Sequence, residues 1–416
     1  MKKRSTGSCS MVSGKRPTGL VYVARSSPSA IGDGGNHRAY QIVNDLERLH
    51  EVDRVEVIVR RAGATEQGRP TLRLISRIGK MLAYRSAIYL ENPYKLFANS
   101  PFTTRRFLPP GFMQHYLSVV DSLSSRSLCL VDDARFAEVI AVNRRRGIRT
   151  IACVQNLQSL DLARVDPQKP STLVSTSIDF AHEMEVLARC SERLFISKVE
   201  TGLLGGLGVR SHYYPYRPVG QVRSRLEFIR QGRCELPAQR GMFLMLGSAA
   251  HRTTNESFRW FVSKALVHGL PDGVRVVIGG SKTETLLPGG ATAPGIELKG
   301  WLEQDELDRL LVETTAVLCP QRTGFGALTR LSELACAGVP VLASRHASFA
   351  IDPTPGLHVV DDSWEAWFRN LELLAKCGDN PSSAEYLAWE QRQPRALQAV
   401  VQQLLTHREH SQNQEG

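Results

Sequence analysis

Short apolar runs alternate with stretches of helical spacing along most of the chain, and the two periods mark out its elements. Residues 20–24 (LVYVA) read as a buried strand, followed by a glycine-bearing loop and a helix over 38–49. Strands continue at 55–59, 127–131, 150–154 and 194–196, with helical spacing over 177–188 before the last. This rhythm predicts a mainly parallel sheet covered on both faces. The segment Tyr214-Pro215-Tyr216-Arg217-Pro218 breaks it, and residues 219–240 are basic and poorly periodic, as a linker should be. A second series then begins: a strand at 242–246, a helix at 256–268, strands at 274–278 and 296–298, and a helix at 304–313. It continues with a strand at 316–319, a helix carrying Arg330 and Glu333, and a strand at 339–343. One more helix is expected at 363–375 and a terminal one at 384–406, kinked at Pro394. Residues 61–126 are harder to read. Their Arg- and aromatic-rich part, 84–116, fits helices and loops at the mouth of the first domain.

The fold class is therefore α/β, with two doubly wound domains at 18–220 and 241–383 and a linker at 221–240. The length of 416 residues suits two to three domains of ~100–200 residues each. Residues 1–17, basic and rich in Ser and Gly, read as a disordered tail; no apolar segment follows them, so a secretory signal is not expected. The eight cysteines are scattered without a CxxC or a Cys/His cluster, which argues against a disulfide framework or a zinc site and suits a reducing cytoplasm. No apolar run approaches the ~18 residues of a membrane helix.

Charge changes the picture. Residues 1–235 hold 36 Lys and Arg against 21 Asp and Glu, a net +15, whereas 236–416 hold 16 against 20, a net −4. An anionic partner for the first half follows: a membrane surface, a phosphorylated acceptor or nucleic acid. An arginine-rich composition arising from a GC-rich genome would also yield part of this excess without function. No RNP, KH, zinc-finger or basic-helix signature is present, so nucleic acid is not expected as a partner. Arg60, Arg61, Arg73, Arg77, Lys80, Arg85, Arg105 and Arg106 are the candidate contacts to an anionic membrane surface, against a solvated basic face or a soluble phosphorylated acceptor. The protein is read as cytoplasmic, with a peripheral place at the inner face of the membrane left open.

The densest chemistry lies in residues 318–344, a strand, a glycine turn (Gly324-Phe325-Gly326), a helix and a second strand. A glycine turn that opens a helix at the carboxyl end of a parallel strand can hold a phosphate on unpaired N–H groups. Arg330 and Glu333 stand at i and i+3 on one face. The guanidinium suits a diphosphate and the carboxylate suits two ribose hydroxyls; a surface ion pair is the bland alternative. Gly247-Ser248-Ala249-Ala250-His251-Arg252 and Gly300-Trp301-Leu302 fall at the same edge of the second sheet, where doubly wound folds bind ligands. In the first half Gly32, Gly34 and Gly35 would allow close backbone approach to a ligand, although their spacing is not GxGxxG. His37, His115, Asp133 and Asn156 fall near the cleft loops, each with a satisfied loop or helix-cap role as the alternative to chemistry.

Taken in order, these segments resemble the retaining glycosyltransferases of family 4, with the GT-B fold of two Rossmann-like domains facing across a cleft. The resemblance rests on GFGALTRLSELACAGVPVLAS, MFLMLGSAAHR and IELKGWLEQDELDRLL in the second half, and on IGDGGNHRAYQI, VQNLQSL and FISKVETGLL in the first. It implies transfer of a sugar from a nucleotide-diphosphate sugar to a glycan, lipid-linked or other small acceptor, with retention, no metal and no cofactor beyond the co-substrate. By resemblance, Arg252, Arg330 and Glu333 carry the catalytic roles, and Gly247, Ser248, His251, Trp301, Leu302, Thr323, Gly324, Phe325 and Gly326 complete the donor site. Gly34, Gly35, Asn36, His37, Asp133 and Asn156 mark the acceptor side of the cleft. It further implies that residues 384–416 pack back on the first domain through Leu387, Leu397, Val400, Val401 and Leu404. Two departures stand out. Phe325 occupies the place of the first of the family's paired glutamates, eight before Glu333, with Gln321 and Thr323 the nearest polar substitutes. Gly247-Ser248 stands where an Arg often follows the Gly, leaving His251 and Arg252 as local cations. A GT-B-like binding protein without turnover and a nucleotide-sugar epimerase are the alternatives.

Overall fold

The computed structural model describes residues 18–59, 110–124, 127–132, 134–161, 170–235, 239–287, 293–377 and 380–412. The expected tail at 1–17, Asp133 and all eight candidate membrane-contact residues lie outside them.

The first sheet holds β1 (Gly19–Ala24), β2 (Arg54–Val59), β3 (Leu128–Val131), β4 (Arg149–Val154), β5 (Glu192–Phe195) and β6 (His212–Tyr213). Its order is β2-β1-β3-β4-β5-β6 and every pairing is parallel. Side chains on a strand alternate between faces, so β1 feeds two cores. Leu20, Tyr22 and Ala24 meet Ala39, Ile42 and Leu46 of the helix Gly34–Leu46. Val21 and Val23 meet Tyr116, Phe136, Val139 and Leu187 on the other side.

The second sheet holds β7 (Met242–Leu246), β8 (Arg275–Gly279), β9 (Ile296–Gly300), β10 (Ala316–Cys319), β11 (Val341–Ser344) and β12 (Leu357–Val360). Its order is β12-β11-β10-β7-β8-β9, again parallel throughout. Phe243 and Met245 pack on Phe261, Val262, Trp364 and Trp367, while Met242 and Leu244 share a core with Leu310, Leu331 and Leu334. In each sheet the strand order reverses once, between β1 and β3 and between β7 and β10. A crevice opens at such a reversal, outside the carboxyl ends of the strands.

Four expectations change. The expected linker contains the helix Gly220–Glu235, which packs Val222, Leu226 and Ile229 into the second core. Its helical period is hidden because Arg230 and Arg233 are also buried, donating to the carbonyls of Cys336, Gly338, Leu311 and Thr314. The expected terminal helix is two, Ser383–Arg392 and Ala396–Gln412, divided where Pro394 removes a backbone donor. Tyr386 and Trp389 of the first join the second-domain core, whereas Leu397, Val400, Val401 and Leu404 of the second cover the first sheet. Leu387, expected on the packed face, is exposed. The helix expected from Arg38 begins instead at Gly34, for a reason that bears on the site.

Candidate functional site

The two reversals face each other across a cleft of about 590 Å³ lined by both domains. On the second-domain wall the chain leaves β7 through Gly247 and Ser248 into the helix Arg252–His268, and leaves β10 through Gly324-Phe325-Gly326 into the helix Thr329–Cys336. Neither helix has a side-chain cap hydrogen bond or an acidic residue in its first turn. Both helix ends therefore keep backbone N–H groups and positive dipole ends at the crevice, the arrangement that suits an anion. Arg330 adds a cation there. Its Nη1 donates to the carbonyl of Leu246, the last residue of β7, which braces the helix against that strand. It does not pair with Glu333, so the bland reading of a local ion pair is not what the fold makes of the two residues.

Glu333 is engaged from elsewhere. Its Oε1 lies 2.7 Å from His37 Nδ1, on the first domain, and accepts from the Tyr216 hydroxyl at 2.9 Å. Burial raises the Glu333 pKa, but these two hydrogen bonds and the charge of His37 outweigh it, and the carboxyl is held below its usual range. Burial lowers His37 in turn, and the Glu333 carboxylate outweighs that as well, so the imidazole is raised. Tyr216 is pushed well up, by burial first and the neighbouring carboxylate second.

The first-domain wall is built differently. Asp33 caps the helix Gly34–Leu46, accepting from the N–H groups of Gly35 at 2.9 Å and Asn36 at 3.1 Å, while Asn36 Oδ1 accepts from the Asp33 N–H. This capping box draws Gly34 and Gly35 into the first turn of the helix, so the expected glycine loop is shorter. Its N-terminal donors are also already satisfied by an internal carboxylate. Close approach still matters at Gly34, but to the protein itself, since a Cβ there would lie 2.3 Å from Thr329 Oγ1 of the other domain. Gly326 makes the same kind of contact from the opposite side, with φ at +89° and a would-be Cβ 2.8 Å from Asn156 Cβ.

Of the residues expected at the site, Gly34, Gly35, His37, Asn156, Gly247, Ser248, His251, Phe325, Gly326, Arg330 and Glu333 line one cleft. Others stand aside. Leu302 is a core residue beneath Gly279, and Trp301 beside it is exposed on the surface. Arg252 opens its helix 3.8 Å from Glu256, and Thr323 donates to Glu256 Oε2 at 3.2 Å. The Gly324 carbonyl faces His346 Nε2 at 2.7 Å. Asn36 Nδ2 donates to the Ser27 carbonyl, and His115 lies on the helix Pro110–Asp121.

Sequence reasoning missed Ser26, Arg38, Gln155, Thr254, Arg225 and Gln304, all on the cleft wall. Gln155 follows directly on β4, and that strand end was the signal available. Arg225 stood in the supposed linker, where it pairs with Asp308 through Nε at 2.9 Å. Arg38 is buried, donates to the Tyr214 and Pro215 carbonyls, and lies 4.0 Å over the Tyr214 ring. Among the described residues its Nε and the Gln155 Nε2 are buried donors without a partner.

No protein-family model matches the chain, and no curated protein sequence matches it. Solved structures do. The chain is similar in fold to sucrose-phosphate synthase from Thermosynechococcus elongatus, with a TM-score of 0.52 at 14% identity over 90% of this chain and 98% of that one. It is similar to the UDP-forming α,α-trehalose-phosphate synthase from Burkholderia vietnamiensis, with a TM-score of 0.53 at 13% identity over 95% and 100%. The Anabaena protein HepE, solved in complex with UDP and glucose, matches with a TM-score of 0.50 at 10% identity over 95% and 100%. The chain thus has the GT-B fold, two Rossmann-like α/β domains facing across a cleft.

Proposed function

We propose that this protein is a glycosyltransferase that moves a sugar from a nucleotide-diphosphate sugar, held on the second-domain wall, to an acceptor on the first-domain wall. One observation carries the reading. On the donor side two helix N-termini without a side-chain cap and Arg330 meet at the β7/β10 crevice, whereas the corresponding first-domain helix is sealed by Asp33.

Glycosyl transfer expels a diphosphate, and negative charge grows on it as the bond to the sugar breaks. Donors fixed beforehand at that position stabilise the transition state more than the ground state. In this reading the helix ends and Arg330 serve the diphosphate, and Glu333 accepts from ribose hydroxyls. The Gly324 and Phe325 backbone approaches the donor sugar. Arg38 Nε and Gln155 Nε2 are donors for the acceptor side. Retention of configuration, membership of family 4 and independence of metal belong to the same proposal and rest on the resemblance in sequence. A glycan, a lipid-linked glycan or another small acceptor fits the cleft, and the basic first half favours one that carries phosphate, at a membrane surface or in solution. Uridine nucleotides are the first donors to try, because the similar folds include a UDP-forming enzyme and a UDP complex.

A second reading has its own support. Phe325 stands where family 4 has its first glutamate, and Glu333 Oε1 is already engaged, as in a binding protein without turnover. Screening nucleotide sugars for thermal stabilisation tests the first step of both, since a ligand at ~100 times its dissociation constant adds ~2.7 kcal/mol. Release of nucleoside diphosphate from the stabilising sugar then separates them. Stabilisation with no release under any acceptor supports the binding protein, and no stabilisation by any nucleotide sugar removes both.

A further inference from the structure

Glu333 takes hydrogen bonds unevenly. His37 Nδ1 at 2.7 Å and the Tyr216 hydroxyl at 2.9 Å both meet Oε1, which uses the two lone pairs of that oxygen. Among the described residues Oε2 takes none, although the side chain lines the cleft and keeps 19% of its surface exposed. A carboxylate fixed through one oxygen has its other oxygen aimed as well, because the group is planar. The two fixing groups come from different places. Tyr216 lies in the connection between the domains, and His37 lies on the first-domain helix, 296 positions away in sequence.

We propose that His37 is a positioning residue for the donor nucleotide, supplied from the opposite domain. Through Oε1 it orients Glu333 so that Oε2 faces the ribose hydroxyls, and the nucleotide site is complete only when the two domains are closed. The proposal rests on the glycosyltransferase reading and adds to it which residue couples closure to recognition.

The surroundings favour a persistent contact. Glu333 faces His37, Tyr216 and Arg225, and His37 faces Glu333, Arg225 and Asp33. Arg225 is already bound to Asp308 through Nε at 2.9 Å and 3.1 Å, and Asp33 caps its own helix. Arg330, one turn away, is bonded to the Leu246 carbonyl. Among the described residues, His37 is thus the group on the facing first-domain helix in direct contact with the carboxylate.

The test must separate orientation of Glu333 from a general loss of structure, so it varies the ribose. Uridine diphosphate and its 2′,3′-dideoxy counterpart are titrated calorimetrically into wild type, His37→Ala and His37→Gln. Wild type should prefer the ribonucleotide by about tenfold or more, the effect of hydrogen bonds to a charged group. His37→Ala should bring that preference down to roughly twofold while leaving the dideoxy affinity nearly unchanged. His37→Gln, which retains an N–H donor, should keep most of it. A preference that survives in His37→Ala, an equal loss for both nucleotides, or a glutamine variant that behaves as alanine would each overturn the proposal. If wild type binds uridine diphosphate but does not distinguish the two, Glu333 has no ribose role and the proposal falls while the diphosphate site stands. If wild type binds no nucleoside diphosphate, uridine or otherwise, the glycosyltransferase reading falls and takes the proposal with it.

Discussion

The backbone N–H of Phe325, on the second domain, donates across the cleft to Asp161 Oδ1 on the first, at 3.2 Å. Asp161 Oδ1 also lies 3.7 Å from where a side chain would begin at Gly324, so this carboxylate sits directly beside the turn that the proposal assigns to the donor sugar. Asp161→Ala should therefore affect recognition of the sugar more than that of the nucleotide. Affinity for uridine diphosphate is expected to stay within about twofold, while the ratio of nucleotide-sugar to nucleotide affinity changes by roughly three- to tenfold, the effect of one hydrogen bond. Calorimetric titration of both ligands measures the ratio, and an unchanged ratio would remove Asp161 from the donor subsite.

Close backbone approach between the domains gives a second prediction. Alanine at Gly326 would place its Cβ 2.8 Å from Asn156 Cβ and 3.2 Å from the Gln155 carbonyl, so the first-domain loop must retreat. Gly208 supplies the control, because it also has positive φ, at +73°, and a Cβ there meets nothing within 4 Å. Both variants should lose roughly 1 kcal/mol to backbone strain. Only Gly326→Ala should also increase the radius of gyration in small-angle scattering and slow transfer. Equal scattering profiles for the two variants would show that this contact does not set closure.

Much of the architecture was legible because it is written locally. The apolar runs at β7 and β10 give those strands at their observed bounds, since a strand buried on both faces is a continuous apolar run. The helix Gln304–Glu313 also appears at its expected bounds, with Leu310 and Leu311 on the buried side. Strands β6 and β12 were missed. The first has two residues, and the second is an edge strand with little burial, so neither carries enough pattern. The helix Gly220–Glu235 was hidden by Arg230 and Arg233, buried arginines that read as solvated charge until the carbonyls they satisfy are known. For the site, the clustering of Gly247, Arg330 and Glu333 followed from strand ends. His37 against Glu333 and Asp161 against Phe325 did not follow, because such pairs depend on how one domain docks on the other.

Glu200 gives the protein a pH dependence whose sign is fixed by burial. It accepts from the Leu157 N–H at 2.7 Å and has a second oxygen with no partner among the described residues, while Glu183 supports the same loop through the N–H groups of Gln158 and Ser159. Burial raises the Glu200 pKa to about 7, opposed by the Leu157 hydrogen bond and reinforced by the charge of Glu183. The folded state therefore holds a proton between pH 4.5 and 7 that the unfolded chain has released. Across that window stability falls as pH rises, by on the order of 3 kcal/mol from this group. Glu200→Gln cannot titrate, and should gain on wild type by that order between pH 5 and pH 8 in urea denaturation. Parallel stability curves for the two proteins would show that Glu200 is ionised throughout.

The most direct test of the account is titration calorimetry of the wild type, Arg330→Ala and Glu333→Ala with nucleoside diphosphates, led by uridine diphosphate. The wild type should bind the diphosphate and not the bare nucleoside. Both variants should bind it ~10- to 150-fold more weakly, the loss expected for a hydrogen bond to a charged group, while still unfolding cooperatively. Binding by both variants as tight as by the wild type, or no binding of any nucleoside diphosphate to the wild type, would contradict it.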